Sequence, residues 1–303
     1  MIKKKISKKK LFIATSTFGK NDNSFIKDLR KNNIYFTINK KERKLRPEEL
    51  IYYARNFTHI IAGTEIYDKS TLKKLNNLKV IYRLGKGLDN IDLKFANKLN
   101  IKIHNTSVSL EKAVGELTIG LILNLIRKIS IQDHNLKRGI WRKEMGNLIH
   151  GKYVGIIGYG KIGKYVSKIL KSLGAKILIS DLRNVKNKIP LKKLLINSDI
   201  VTVHSSYIRK NYHLLDKNHL KLLKRNSFII NTSRPELIDN DFLHSLLKKE
   251  KIKGAALDVF DQEPYKGNFT NLKNVILTPH IGSYASEKRN EMEKEAVEFM
   301  KNN

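Results

Sequence analysis

Toward the C-terminus stand three side chains that could together do redox chemistry on an organic acid: Arg234, Glu263 and His280. Arg234 follows Phe228-Ile-Ile-Asn-Thr-Ser, Glu263 follows Leu257-Asp-Val-Phe-Asp-Gln, and His280 follows Val275-Ile-Leu-Thr-Pro. A histidine can take the proton of a hydroxyl while hydride leaves for an acceptor, and return it in the reverse direction. A neighbouring carboxylate orients the ring and stabilises its charged form. A guanidinium can clamp a carboxylate through two parallel hydrogen bonds or polarise a carbonyl. Each residue also has a plainer reading: a structural strand-end histidine, a Glu-Pro turn, an arginine in a surface ion pair. Spacing alone does not bring Glu263 to His280. His59, His134 and His219 lack such company and read as structural.

A second constellation binds rather than reacts. Tyr153-Val-Gly-Ile-Ile-Gly158-Tyr-Gly160-Lys161-Ile162-Gly163 fits G-x-G-x-x-G. In such a motif Gly158 permits a tight turn, Gly160 lets backbone approach a pyrophosphate, and Gly163 allows close helix–strand packing. The amides opening the next helix then face the diphosphate. The spacing is common in unrelated loops and is weak evidence by itself. Here an apolar strand precedes it, a helical pattern follows, and the next strand ends at Asp181, 18 residues after Gly163. A carboxylate there accepts hydrogen bonds from an adenosine ribose and repels a 2′-phosphate, so NAD is expected over NADP. Arg183 leaves an opening for the phosphorylated cofactor.

These groups need a scaffold. Periodicity predicts strands at 11–14, 34–38, 59–62, 80–83 and 101–104, then at 153–157, 176–180, 200–204, 228–231, 254–258 and 275–278. Helical patterns lie between them, one opening near Ser24 and one after Pro47, where proline suits a first turn. Strands separated by helix-length segments argue for two doubly wound parallel α/β units. The catalytic candidates all lie past strand ends, where such sheets bind ligands. One long helix is expected over 110–137, packed between the domains or against another subunit. A closing helix over 286–301 is expected to return to the first domain.

Composition bounds the partners. The 303 residues predict about two domains, each with its own core. Absence of cysteine excludes a disulfide framework, a thiolate metal site and a cysteine nucleophile, and no metal is expected. The net charge of +32 would ordinarily suggest nucleic acid or an anionic membrane. Yet it comes from 47 Lys against 13 Arg, beside 37 Ile, 29 Asn and only 10 Ala, and divides as +16 over residues 1–106 and +16 over 107–303. A nucleic-acid footprint concentrates on one face. The excess reads as compositional drift, and no specific nucleic-acid partner is expected. Met1–Lys10 is basic like the start of a secretion signal, but the apolar run 11–14 is too short for one. The apolar stretch 117–126 is too short to span a bilayer, so a soluble, cytoplasmic protein is expected.

Read end to end, the chain resembles the D-isomer-specific 2-hydroxyacid dehydrogenases, closest to the phosphoglycerate dehydrogenase-like members. The resemblance is carried by Arg83-Leu-Gly-Lys-Gly-Leu-Asp-Asn-Ile-Asp92, Asn105-Thr, Ala113-Val-Gly-Glu116 and the glycine motif. Further on it is carried by Ser198-Asp-Ile-Val-Thr-Val-His204, Ile230-Asn-Thr-Ser-Arg234, Ala255-Ala-Leu-Asp-Val-Phe-Asp-Gln-Glu-Pro264 and Leu277-Thr-Pro-His-Ile-Gly282. It implies a catalytic trio of Arg234, Glu263 and His280, with His280 as acid/base. It implies that Gly85, Lys86 and Gly87 face the substrate carboxylate, beside Arg234 and His280. Cofactor contacts are implied at Gly158, Gly160, Lys161, Ile162, Gly163, Asp181, His204, Ser206, Thr232 and Ser233, with Asp258 meeting the nicotinamide carboxamide. The implied fold is a Rossmann NAD-binding domain, 107–282, inserted in a flavodoxin-like substrate domain, 1–106 plus 283–303. The implied activity is NAD-dependent hydride transfer at C2 of a small D-2-hydroxy acid, 3-phosphoglycerate being the best single choice. The NAD-binding domains are expected to pair as a homodimer. The alternative is a non-catalytic dinucleotide-sensing or co-repressor-like protein on the same fold. The chain departs from the family pattern at Pro235, where glycine is usual, at Ser206, where proline is usual, and in a shorter 181–199 stretch. Pro235 should hold Arg234 extended, Ser206 could offer a hydroxyl on the nicotinamide side, and the shorter stretch should leave the adenine pocket less enclosed.

Overall fold

The computed structural model describes residues 9–303, and most of the basic start, residues 1–8, lies outside them. Eleven strands occur among the described residues, each within one residue of its expected ends. They are β1 (Lys10–Ile13), β2 (Tyr35–Ile38), β3 (His59–Ala62), β4 (Val80–Arg83), β5 (Lys102–Asn105), β6 (Tyr153–Ile157), β7 (Lys176–Ser180), β8 (Ile200–Val203), β9 (Phe228–Asn231), β10 (Gly254–Leu257) and β11 (Val275–Leu277). The helices are α1 (Ser24–Lys31), α2 (Pro47–Ala54), α3 (Lys69–Lys74), α4 (Leu93–Lys98), α5 (Glu111–Arg127), α6 (Ile129–Lys137), α7 (Lys161–Ser172), α8 (Leu191–Asn197), α9 (Lys217–Leu220), α10 (Asn240–Lys248) and α11 (Ser286–Asn302).

The chain divides into two compact units, residues 1–109 with 284–303, and residues 110–283. The first holds a five-stranded sheet in the order β2-β1-β3-β4-β5, the second a six-stranded sheet in the order β11-β10-β9-β8-β6-β7. Every pairing is parallel. Strands covered on both faces read as near-continuous apolar runs, and β3, β4, β8, β9 and β10 are buried at every position. Strand order reverses between β1 and β3 in the first sheet and between β6 and β8 in the second. Such switch points open a crevice at the carboxyl ends.

The first unit packs Phe12, Ile60, Ile81 and Tyr67 around its sheet. Helix α11 belongs to it, burying Met292, Ala296, Val297 and Met300. On that helix the buried Arg289 and Glu293 pair at 2.7 Å, and Glu293 also accepts from the Gly19 amide at 2.8 Å. In the second unit Ile156, Val166, Leu170 and Ile230 share a core with α5. The single helix expected over 110–137 is instead two. Lys128 adopts a left-handed conformation, φ 56°, and ends α5 there. Helix α5 packs on its own unit's sheet through Leu121, Ile122, Leu125 and Ile126. Helix α6 buries none of its side chains. Among the described residues no helix is long and apolar enough to cross a membrane.

His204, just past β8, is 9 % exposed, and its ring turns back to pair Nε2 with Thr202 Oγ1 at 3.0 Å. Burial pushes its imidazole down to about 3. Because the folded value lies below the ordinary value of about 6.5, only the unfolded chain binds the proton between them. Stability is therefore complete above pH 6.5 and is lost as pH falls toward 3. A His204→Asn chain, which cannot titrate there, should lose stability less steeply between pH 7 and 4.5, by about 1 kcal/mol per pH unit. Urea unfolding across that range measures both slopes. Equal slopes would mean a solvated ring.

Candidate functional site

The glycine turn follows from β6 running out beside β8. Gly158 has φ 91°, and a Cβ there would collide with the backbone of His204 and Ser205 at the end of β8. A Cβ on Gly163 would strike the Gly158 carbonyl, so helix α7 can start this close to the strand only with glycine. Gly160, the residue before α7, faces open space: a Cβ there would meet nothing nearer than Arg183 Nη2 at 3.9 Å. No side chain caps α7, and its first turn holds no acidic residue. Lys161, Ile162 and Gly163 thus present a helix N-terminus suited to an anion.

Asp181 stands just past β7. One of its oxygens accepts from the Tyr159 amide at 2.6 Å, which ties the carboxylate to the glycine turn itself. Arg183 closes on it through Nε at 3.0 Å and Nη2 at 2.7 Å. The Arg183 guanidinium holds the Asp181 carboxyl well below the usual carboxylate range, helped by the Tyr159 and Arg183 amides against burial. A cavity of about 400 Å³ opens beside Asp181, walled by Ile157, Leu182, Ile189, Pro190 and Leu214. An uncapped helix start, an open glycine, an ionised acid and an apolar slot are what a dinucleotide's diphosphate, ribose and base require. The residues present fit NAD.

The chain brings His280 and Glu263 together. His280 Nδ1 lies 2.8 Å from Glu263 Oε1. With the proton on Nδ1 shared to the carboxylate, Nε2 is the nitrogen left to exchange a proton with substrate. The His280 side chain keeps about a third of its surface exposed, 31 %, so its ring is reachable. Its backbone is left-handed, φ 54°, an uncommon conformation for a non-glycine residue.

Asp258 explains how that conformation is held. It is fully buried, and one oxygen accepts from Thr278 Oγ1 at 2.6 Å and from the Ile281 amide at 2.8 Å. The other accepts from the Gly282 amide at 2.9 Å. Burial raises its carboxyl, against these donors and the His280 charge. Its contacts here are with the loop that carries His280, a role that spacing did not suggest. The signal was available: an aspartate ending an apolar strand must find donors close by.

Arg234 is extended, φ −141° and ψ 140°, as a residue before proline should be, and its Nη1 donates to the Ser233 carbonyl at 2.7 Å. Pro235 opens a short 3-10 turn behind it. Two of the remaining hydroxyl candidates are engaged within the second unit. Thr232 is buried with Oγ1 3.1 Å from Thr118 Oγ1, and Ser233 Oγ donates to the Ser205 carbonyl at 2.6 Å. Ser206 is exposed. Gly85, Lys86 and Gly87 follow β4 in the first unit, with Lys86 Nζ donating to the Thr106 carbonyl at 2.8 Å. Among the described residues no cluster of three or more His, Asp or Glu could hold a metal ion.

Comparison with known proteins bears on the family. Residues 119–282 match the model of the D-isomer specific 2-hydroxyacid dehydrogenase NAD-binding domain. A glyoxylate reductase of Thermofilum pendens is 37 % identical over 246 residues, 76 % of this chain and 73 % of that protein. A D-3-phosphoglycerate dehydrogenase of Methanocaldococcus jannaschii is 35 % identical over 257 residues, 80 % of this chain but 49 % of the longer relative. A crystal structure of a Thermus thermophilus protein superposes with a TM-score of 0.85 at 26 % identity, covering 95 % of this chain and 94 % of the other. A parallel sheet ending in a glycine turn, a carboxylate past the next strand and a His–Glu pair thus occur in a sequence that matches one family over residues 119–282, and the chain belongs to the NAD-dependent D-isomer-specific 2-hydroxyacid dehydrogenases.

Proposed function

We propose that this enzyme interconverts a small D-2-hydroxy acid and its 2-keto acid, with Arg234, Glu263 and His280 as its working residues. NAD, when bound, supplies the hydride acceptor. His280 Nε2 takes the proton of the C2 hydroxyl in oxidation and returns it in reduction. Glu263 fixes the ring through Nδ1 and offsets the charge that the imidazole gains. Arg234 holds the acid's carboxylate or its carbonyl oxygen, and the backbone of Gly85, Lys86 and Gly87 receives the carboxylate. Gly158, Gly160 and the α7 amides take the diphosphate, and Asp181 takes the ribose. The domain roles follow: residues 107–282 bind NAD, and 1–106 with 283–303 bind the acid. The observation that carries the reading is the 2.8 Å contact between His280 and Glu263.

For the substrate, the family resemblance favours 3-phosphoglycerate, whereas the likeness to the glyoxylate reductase of Thermofilum pendens favours a two-carbon acid. A panel of 3-phosphoglycerate, glycerate, lactate, glycolate and their keto forms, followed by NADH absorbance, decides between them. Turnover of none, with NADH still bound, would instead favour the sensor reading. His280→Asn should lower kcat by about 10²–10⁴-fold with NADH affinity kept. Glu263→Gln should lower kcat with the same retention of NADH. Full activity in either chain would remove that residue from the mechanism.

A homodimer through the NAD-binding domain accompanies this reading. Helix α6 and the segment after it expose Ile129, Leu136, Ile140, Trp141, Met145 and Leu148, with Trp141 at 81 % and Met145 at 88 %. Apolar surface gathered on one arm of a highly charged chain suits a second copy of the same arm. Trp141→Asp with Met145→Asp should elute as a monomer in light-scattering chromatography. An unchanged dimer would place the interface elsewhere.

A further inference from the structure

Three titratable side chains are buried together in the first unit and take no part in the chemistry above: Glu65, Tyr67 and Arg83. Glu65 and Tyr67 lie on the loop leaving β3, and Arg83 ends β4, so all three sit at the carboxyl edge of that sheet. Glu65 is 2 % exposed and Arg83 8 %. Burial pushes the Glu65 carboxyl up, against nearby backbone amides and the charge of Arg83. Burial also pushes the Tyr67 phenol up, with Glu65 adding to the shift and Arg83 opposing it. The Tyr67 hydroxyl has no hydrogen-bond partner among the described residues.

Opposed charges held this deep cost desolvation that apolar side chains of the same size would avoid. Their contacts point to a reason. Glu65 Oε2 accepts from the Gly63 amide at 2.7 Å, and Asn90 Nδ2 donates to the Glu65 carbonyl at 2.6 Å. Arg83 curls under its own chain, donating from Nη1 to the Leu84 carbonyl. Its guanidinium fills the space into which a Cβ on Gly85 would point, and Gly85 has φ 151°, a conformation that favours glycine. From the other side Asn105 Nδ2 holds the Lys86 carbonyl at 2.9 Å, while Lys86 Nζ holds Thr106. The chain at Gly85-Lys86 is therefore braced from below by Arg83 and laterally by residues 105 and 106.

We propose that Glu65 and Arg83 are positioning residues, setting the backbone of Gly85-Lys86-Gly87 to receive a carboxylate that neither of them touches. Amides recognise a carboxylate by direction, so a loop free to wander loses affinity even when every donor is present. Arg83 itself is turned to the Leu84 carbonyl, which leaves recognition to the directed amides rather than to a buried cation that would hold any anion. The inference rests on the reading above that this loop meets the acid.

Full-length Arg83→Lys, Glu65→Gln and, as the loop's own variant, Gly87→Ala test it by two readouts. The first is steady-state kinetics with NADH and glyoxylate, and the second is amide hydrogen exchange over residues 84–88 without ligand. Arg83→Lys and Glu65→Gln should speed exchange in that loop and raise KM for glyoxylate about tenfold, with kcat and KM for NADH within about twofold. Unchanged exchange in both variants overturns the proposal. So does a parallel loss of kcat and both KM values with a lower melting temperature, which would make the pair merely structural. Exchange that rises while Gly87→Ala keeps its KM would leave the brace standing and sink the assignment of the loop to the acid. Because Arg83→Lys keeps the charge, it remains informative if Glu65→Gln does not fold.

Discussion

The Asp258 carboxylate, sealed at the end of β10, gives its two oxygens to the loop that follows β11, and the geometry of His280 depends on it. Burying a carboxylate costs several kcal/mol, and removing a partner from a buried charge costs about 3–5 kcal/mol. Three donors converge here, so the loop has few alternatives that do not strand the charge. A left-handed histidine costs about 1–3 kcal/mol and persists only when its surroundings over-determine it. Thr278, Ile281 and Gly282 flank His280 on both sides and supply that constraint. Glu263 then has only to meet a ring whose position is already set.

Charge is distributed by the same logic. The excess of +32 is carried largely by lysines that remain in water, where their self-repulsion is screened. The arginines that meet carboxylates take particular places. Arg289 meets Glu293 on α11, Arg183 meets Asp181 at the glycine turn, and Arg83 lies near Glu65. A guanidinium forks over two acceptors and carries a weaker hydration shell than an ammonium, so it is the cation that tolerates these positions. That only 13 of 60 basic residues are arginine makes their places informative.

The strands were legible because parallel strands buried on both faces must be continuous apolar runs, and the glycine turn because its spacing fell between a strand and a helix. The two helices over 111–137 were not, since nothing in Arg127-Lys128-Ile129 marks a left-handed residue: the break lies in one backbone torsion, not in composition. The carboxylate candidates were legible as chemistry but not as geometry. Glu263 and His280 are 17 residues apart and meet only because β10 and β11 pair in parallel, which brings both strand ends to one edge. Asp258 stood beside them in sequence, and its grip on the loop needed coordinates. Glu65 and Arg83 were invisible for the same reason, as each reads alone as a surface charge.

Both sheets solve one problem in a similar way. Past the carboxyl ends of the strands, backbone is left exposed that must be held without a side chain filling the gap. In the second unit Gly158 and Gly163 let two backbones touch, and the charge that steadies the turn, Asp181, reaches it through the Tyr159 amide. In the first unit Gly63 and Gly85 do the equivalent, but what fills the space beneath them is a carboxylate and a guanidinium. In the proposed function the glycine turn meets a diphosphate with uncapped amides, and its fixed charge, Asp181, stands to one side. The loop proposed to meet a single carboxylate has fewer donors to offer, so its backbone must be aimed more tightly. A guanidinium packed under Gly85 and bonded to the Leu84 carbonyl can aim it without reaching the anion.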